Sequence, residues 1–171
     1  RQALEQIRIW LSYLPSSAWQ APTRLADAEG EGKVNELLNI IPENPRQAYD
    51  MYDVINAVAD SGSVFTIQPM FGESLITCFA RLSGRPVAIV ANQPQHMAGS
   101  ITVEAADKAT QFIQVADSFH LPLIFLTDNP GVLAGSSSEK AGILRHAGRM
   151  FLAQHHATVP KIQLTLRKAY G

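Results

Sequence analysis

Two short apolar runs, residues 87–91 and 121–126, flank a stretch whose apolar residues recur at helical spacing, and this pattern constrains the fold more than any other. A strand covered on both faces reads as a continuous apolar run, and strands joined through a helix lie parallel with a right-handed crossover. The expected fold is therefore α/β, a layered sheet with crossover helices. Residues 75–82 read as a further strand, joined to 87–91 by the four residues Ser83, Gly84, Arg85 and Pro86 as a hairpin connection. Ala105, Ala109, Phe112, Ile113, Ala116 and Phe119 then mark a helix, with Ser100 or Thr102 as its cap and Glu104 near its positive end. A strand over 122–127 follows. A single helix over 138–157 is expected next, with Ile143, Leu144, Ala147, Met150, Phe151 and Gln154 inward, and then a strand over 161–166.

In such a sheet each strand's carboxyl end and the following helix's amino end share one edge, where ligands of open α/β sheets sit. Three junctions should gather there: residues 92–100, 128–138 and 168–171. Each carries glycine.

The first 48 residues are less ordered in pattern. Leu4, Ile7, Trp10, Leu11 and Leu14 form a helical apolar stripe that Pro15 ends, predicting a helix docked on other structure. Residues 16–32, with Pro22, two glycines and small or acidic side chains, read as a connector. Val54, Ile55 and Val58 mark the inner face of a short helix over 50–59.

Composition narrows the function. Of 171 residues 46% are hydrophobic, and 14 Lys plus Arg nearly balance 15 Asp plus Glu, for a net charge of −1. A chain this neutral lacks the basic footprint of a nucleic-acid binder, so no nucleic-acid partner is expected. No membrane partner is expected either, because no apolar run approaches the roughly 20 residues of a bilayer-crossing helix. The single cysteine, Cys78, excludes an intrachain disulfide and fits a reducing compartment, so a cytoplasmic location is the expectation. Lying in an apolar strand, it reads as a small buried hydrophobe.

The candidate chemistry lies in the loops. The run Asp128-Asn129-Pro130-Gly131-Val132-Leu133-Ala134-Gly135 follows a strand and precedes a helix; it can be a main-chain-lined pocket or an ordinary turn. Ala98-Gly99-Ser100 carries the same two readings, since amides at a helix start can receive an oxyanion. Amides aimed at a developing oxyanion stabilise an enolate-like state without a side-chain nucleophile. The chain has no G-x-S-x-G elbow, H-E-x-x-H pair, G-x-x-x-x-G-K-[ST] loop or G-x-G-x-x-G fingerprint. His155 and His156 are adjacent on a helix and point about 100° apart, so no metal site is expected; only His146 falls near the loop edge. Arg145 and Arg149 share a helix face that is either solvated or able to hold an anion.

Four collinear segments, Gly84-Arg85-Pro86-Val87-Ala88-Ile89-Val90-Ala91-Asn92-Gln93-Pro94, Asp128 to Gly135, Ala157-Thr158-Val159-Pro160-Lys161 and Arg167-Lys168-Ala169-Tyr170-Gly171, carry a family resemblance. The chain resembles the carboxyltransferase (β) subunits of biotin-dependent acyl-CoA carboxylases of the propionyl-CoA or acetyl-CoA type. The resemblance covers residues 49–171, with 1–48 similar to the passage joining that family's two halves. It implies a crotonase-like (ClpP/crotonase) fold, here an incomplete carboxyl-terminal half. The implied reaction moves a carboxyl group from carboxybiotin to the α-carbon of an acyl-CoA, with main-chain amides stabilising the enolates. Biotin would arrive on a separate biotin carboxyl carrier or biotin carboxylase subunit, and the active site would form between halves of neighbouring subunits in a homo-oligomer.

Carried over by position, Gly99, Asp128, Asn129, Pro130, Gly131, Ala169 and Tyr170 are expected on the biotin side, with Gly171 at the edge of the oxyanion loop. Because the family's oxyanion amides lie just beyond that glycine, the polypeptide is expected to be a fragment, inactive alone. Asn129 stands where relatives often have Val, and Ala88 where a Gly often follows Val87. Two alternatives stand beside this reading: a biotin-dependent acyl-CoA decarboxylase subunit, and a noncatalytic assembly domain of the same fold.

Overall fold

The structure is a computed structural model and describes residues 1–25, 34–44 and 46–170. The later part of the expected connector and Gly171 lie outside the described residues. Six helices are described: α1 (Gln2–Ser12), α2 (Val34–Ile40), α3 (Met51–Val58), α4 (Val103–Ser118), α5 (Ser136–Lys140) and α6 (Ile143–His156). The strands are β1 (Phe65–Ile67), β2 (Leu75–Leu82), β3 (Arg85–Asn92), β4 (Leu123–Asn129) and β5 (Lys161–Ala169). They form one sheet in the order β1-β2-β3-β4-β5. The first two pairings are antiparallel; β3–β4 and β4–β5 are parallel, as helical crossovers require.

Side-chain alternation along β2 and β3 feeds two cores. Leu75, Phe79, Ala88 and Val90 face one side, where they meet Ala105, Ala109, Phe112 and Ile113 of α4 and Met150 and Ala153 of α6. Ile76, Cys78, Val87 and Ile89 face the other, under Met51, Val54 and Ile55 of α3. Both faces are covered, which is why these strands read as unbroken apolar runs. The small residues of α4 bring it close to sheet and α6 alike. Of its two candidate caps, Thr102 does the capping, accepting from the Ala105 N–H at 3.1 Å.

Several sequence expectations are corrected. The hairpin connection is two residues, Ser83 and Gly84, since Leu82 pairs with Arg85. Both adopt positive φ, and the Asp60 carboxylate holds their amides at 2.8 and 2.7 Å. The single helix expected over 138–157 is two helices, broken where Gly142 turns left-handed at φ +81°. Leu144 and Phe151, expected inward on α6, are exposed, because the buried row is Ile143, Ala147, Met150 and Ala153 and its neighbours lie 100° around the helix. On α1, Leu4, Ile7 and Leu11 are exposed; Trp10 and Leu14 pack with Ile9 and the buried Tyr13. Strand β1 was not expected, and β5 runs three residues beyond its expected end.

Candidate functional site

The three glycine-bearing junctions meet at the carboxyl edge of β3, β4 and β5, and side-chain amides tie them together. Asn92, the last residue of β3, donates from Nδ2 to the Gly99 carbonyl at 3.0 Å. Its Oδ1 accepts from the Asp128 N–H at 3.3 Å and from Asn129 Nδ2 at 3.1 Å. Asn129 Oδ1 in turn accepts from the Gly131 N–H at 2.6 Å. Both asparagines are buried, so each group that meets them avoids the cost of an unpaired buried dipole. Backbone bonds then knit the 99–101 segment to the 131–133 segment: Ile101 N–H to Gly131 O at 3.1 Å and Leu133 N–H to Ile101 O at 2.9 Å.

Gly99 has no room for a side chain. A Cβ there would lie 2.5 Å from the Asp128 carbonyl oxygen, at a φ of +79°. Residues 97–99 form one 3₁₀ turn in which Met97 and Ala98 also adopt positive φ. On the far side, Asn129 pairs with Ala169, and the Tyr170 N–H reaches the Asn129 carbonyl at 3.4 Å. Gly99, Asp128, Asn129, Gly131, Ala169 and Tyr170 are thus brought to one edge, with Pro130 beside them and exposed.

Two of these residues work differently from their sequence expectation. Asp128, expected to line a cleft, is fully buried, and its carboxylate is engaged within the fold by Tyr49, Arg167 and the Lys168 N–H. The Gly131 amide is taken by Asn129 and does not face a ligand. One residue further on, the picture changes. Among the described residues no acceptor meets the N–H of Val132 or Ala134. Both residues line a cavity of about 660 Å³, together with Leu133, Glu139, Ile143 and Arg145. The sequence reading offered the whole run Asp128 to Gly135 as a main-chain-lined pocket or an ordinary turn, but named individual site residues only as far as Gly131.

The remaining candidates lie elsewhere. His146 Nδ1 sits 2.6 Å from Asp107 Oδ1, clasping α6 to α4. His155 and His156 are exposed at the end of α6. Cys78 is fully buried, and burial pushes its thiol up to about 12, so it offers no thiolate. Burial raises the Tyr49 hydroxyl well above its usual value, and its hydrogen bond to Asp128 adds to the rise, so Tyr49 is a lasting proton donor. No described helix is long and apolar enough to cross a membrane.

The chain is thus an α/β sheet, part antiparallel and part parallel, with a cavity beside the carboxyl end of β4. Residues 1–171 match the carboxyl transferase domain, and the chain belongs to that family. It is 41% identical over 172 residues to the methylmalonyl-CoA decarboxylase subunit alpha of Propionigenium modestum, spanning 100% of this chain and 33% of that protein. It is 43% identical over 171 residues to the propionyl-CoA carboxylase carboxyltransferase subunit of Haloferax mediterranei, spanning 99% and 33%. Among solved structures, it is similar to a transcarboxylase 12S hexamer with methylmalonyl-coenzyme A and methylmalonic acid bound. The TM-score is 0.95 at 40% identity, covering 99% of this chain and 33% of that one. The chain thus spans about a third of the length of these relatives, and its fold is that of the crotonase-like carboxyltransferases.

Proposed function

We propose that this chain forms the biotin-facing part of a carboxyltransferase that exchanges a carboxyl group between biotin and the α-carbon of an acyl-CoA thioester. The observation that carries the reading is that Val132 and Ala134, whose N–H groups meet no acceptor among the described residues, both line the cavity that follows Gly131, in a chain of this family. Amide N–H groups fixed before reaction stabilise charge developing on an oxygen, and removing one such donor costs about 2.7–4 kcal/mol in a studied protease. The Asn92 and Asn129 clasp holds the loop so that those donors need not reorganise. Leu133 and Ile143 contribute apolar wall, which strengthens each dipole there, and the lining carries one charge of each sign, Arg145 and Glu139. Biotin, carried by a separate carrier domain or protein, supplies the ureido nitrogen that holds the carboxyl group in transit.

In this reading residues 1–48 join two carboxyltransferase halves and 49–171 belong to the carboxyl-terminal half, with Gly99, Asn129, Pro130, Ala169, Tyr170 and Gly171 at the biotin side. A carboxylase subunit with the biotin carrier, acyl-CoA substrates, a homo-oligomer and a cytoplasmic location complete the proposal. The decarboxylase direction has support of its own, since a methylmalonyl-CoA decarboxylase subunit is nearly as similar as a propionyl-CoA carboxylase subunit. Both use the same half-reaction. The test incubates the natural-length protein with methylmalonyl-CoA or malonyl-CoA and biocytin. Biocytin-dependent release of propionyl-CoA or acetyl-CoA is expected; its absence with both donors refutes the reading.

A further inference from the structure

The register between β4 and β5 breaks at the edge just described. Thr127 pairs with Thr165, yet Asn129 pairs with Ala169, so β5 carries two extra residues over the span where β4 has one, Asp128. Such a bulge interrupts the ladder and re-aims the strand beyond it. The Asp128 carboxylate supplies the partners that the interrupted ladder lacks. Its Oδ1 accepts from the bulged Lys168 N–H at 3.3 Å, and its Oδ2 accepts from Arg167 Nε at 2.8 Å and from the Tyr49 hydroxyl at 2.8 Å. Arg167 goes on to the segment before α3: Nη1 donates to the carbonyls of Gln47 at 2.9 Å and Asn44 at 3.3 Å, and its guanidinium lies 4.6 Å from the Tyr49 ring centroid. One guanidinium thereby joins the 44–49 segment, the end of β4 and the end of β5.

We propose that Arg167, pinned by Asp128, is a positioning residue for carboxyl transfer: it holds the β5 bulge in the shape that brings Ala169 and the Tyr170 N–H onto Asn129, the residue that fixes the Gly131 amide. This deepens the reading under Proposed function and rests on it. The pin is separate from the cavity. Arg167 and Asp128 bond to no cavity-lining residue, so their effect reaches the site through the path of the β5 backbone and through the end of β4, where the Asp128 N–H meets Asn92. A planar fork is required, because Nε and Nη1 serve different segments at once; a lysine ammonium keeps the charge and loses that geometry.

The test compares wild type, Arg167→Lys, Arg167→Gln and Tyr49→Phe in the natural-length protein. Carboxyl transfer from methylmalonyl-CoA to biocytin is measured beside hydrogen exchange of peptides covering 123–127 and 165–170. Displacement of a reacting geometry by about 1 Å costs on the order of 10²-fold. Arg167→Gln is therefore expected to lower kcat by about that factor and Arg167→Lys by about tenfold, with KM for the acyl-CoA within about twofold. Exchange should quicken over 165–170 and stay slow over 123–127. Where Arg167→Gln fails to fold, Tyr49→Phe, which keeps the ring and removes one donor, should give the same pattern at smaller size. The proposal is overturned if Arg167→Lys retains wild-type kcat, or if exchange quickens equally in both peptides. A wild type without transfer, in which 165–170 still loosens selectively in the variants, would sink the functional reading and leave the pin standing.

Discussion

Adding one methyl group at Gly99 tests the packing of the whole edge, and Gly62 supplies the control. At Gly99 the new Cβ would stand 2.5 Å from the Asp128 carbonyl oxygen and 3.2 Å from Asn92 Cβ, with φ at +79°. At Gly62 the φ is similar, +70°, and nothing lies within 4 Å. A side chain in left-handed backbone costs about 1–2 kcal/mol, and the loss of glycine's freedom in the unfolded chain returns about 0.4–1 kcal/mol. Those two effects apply at both positions, so Gly62→Ala should destabilise by about 0–1.6 kcal/mol. Gly99→Ala carries the clash in addition. Asp128 is held through its N–H by Asn92 and through its carboxylate by Tyr49, Arg167 and the Lys168 N–H, so the turn must move, and overpacking of this kind costs about 1–3 kcal/mol. Urea unfolding of both variants, compared at equal slope, measures the difference. Equal midpoints for the two variants would refute the claim that the 97–99 turn is wedged against β4. In the natural-length protein Gly99→Ala should also depress carboxyl transfer, while Gly62→Ala should leave it unchanged.

Lys108 is buried in α4, where its ammonium donates to the Gln68 carbonyl at 3.3 Å; burial lowers its pKa to about 8, against the opposing pull of Glu73. A folded-state value below the unfolded 10.5 means the unfolded chain binds more protons between about pH 8 and 10.5, so unfolding free energy should rise with pH across that window. Lys108→Met should flatten the rise; an unchanged slope in a urea series from pH 7.5 to 10.5 would contradict it. Cys78, enclosed in the sheet with its thiol pushed up to about 12, should resist a thiol reagent at pH 8 until the protein unfolds. Labelling of the native protein at the rate of a free thiol would show that the core opens there.

What could be read in the residues follows from what each pattern reports. The β2–β3 hairpin, α4 and β4 were legible because burial on two faces leaves continuous apolar runs and a small-residue helix leaves a clear 3.6-residue period. Strand β1 has three residues, too few for any period. Periodicity also reports that a face is apolar and not what covers it, which is why Leu4, Ile7 and Leu11 of α1 read as a docking face and stand exposed. Gly142 sits inside an otherwise helical pattern, so the division of α5 from α6 showed only in its left-handed backbone. At the site, glycine marked the 92–100 and 128–138 junctions, which meet at one edge; the glycine of the third, Gly171, lies outside the described residues. The asparagine clasp was hidden because its partners are 7, 36 and 37 residues away. An aspartate at a strand end reads as a group facing ligand, and only the bulge in β5 reveals why Asp128 is turned inward.

That inward turn explains how one edge can be both rigid and reactive. The side chains there, Asn92, Asp128, Asn129, Arg167 and Tyr49, all bond to other parts of the fold, and among them they hold the amides of Asp128, Gly131 and Lys168. The cavity beyond is lined by Val132, Leu133 and Ala134 together with the side chains of Glu139 and Arg145, and among the described residues the Val132 and Ala134 N–H groups meet no acceptor. Backbone dipoles have few internal freedoms, so a loop clamped on both flanks presents them in one orientation, which is what stabilising a developing oxyanion demands. A reactive side chain would need its own positioning and its own tuned pKa; fixed amides need neither. Glycine at 99 and 131 and buried amide side chains at 92 and 129 are therefore two halves of one requirement: close approach of main chains, and partners for every dipole that approach buries.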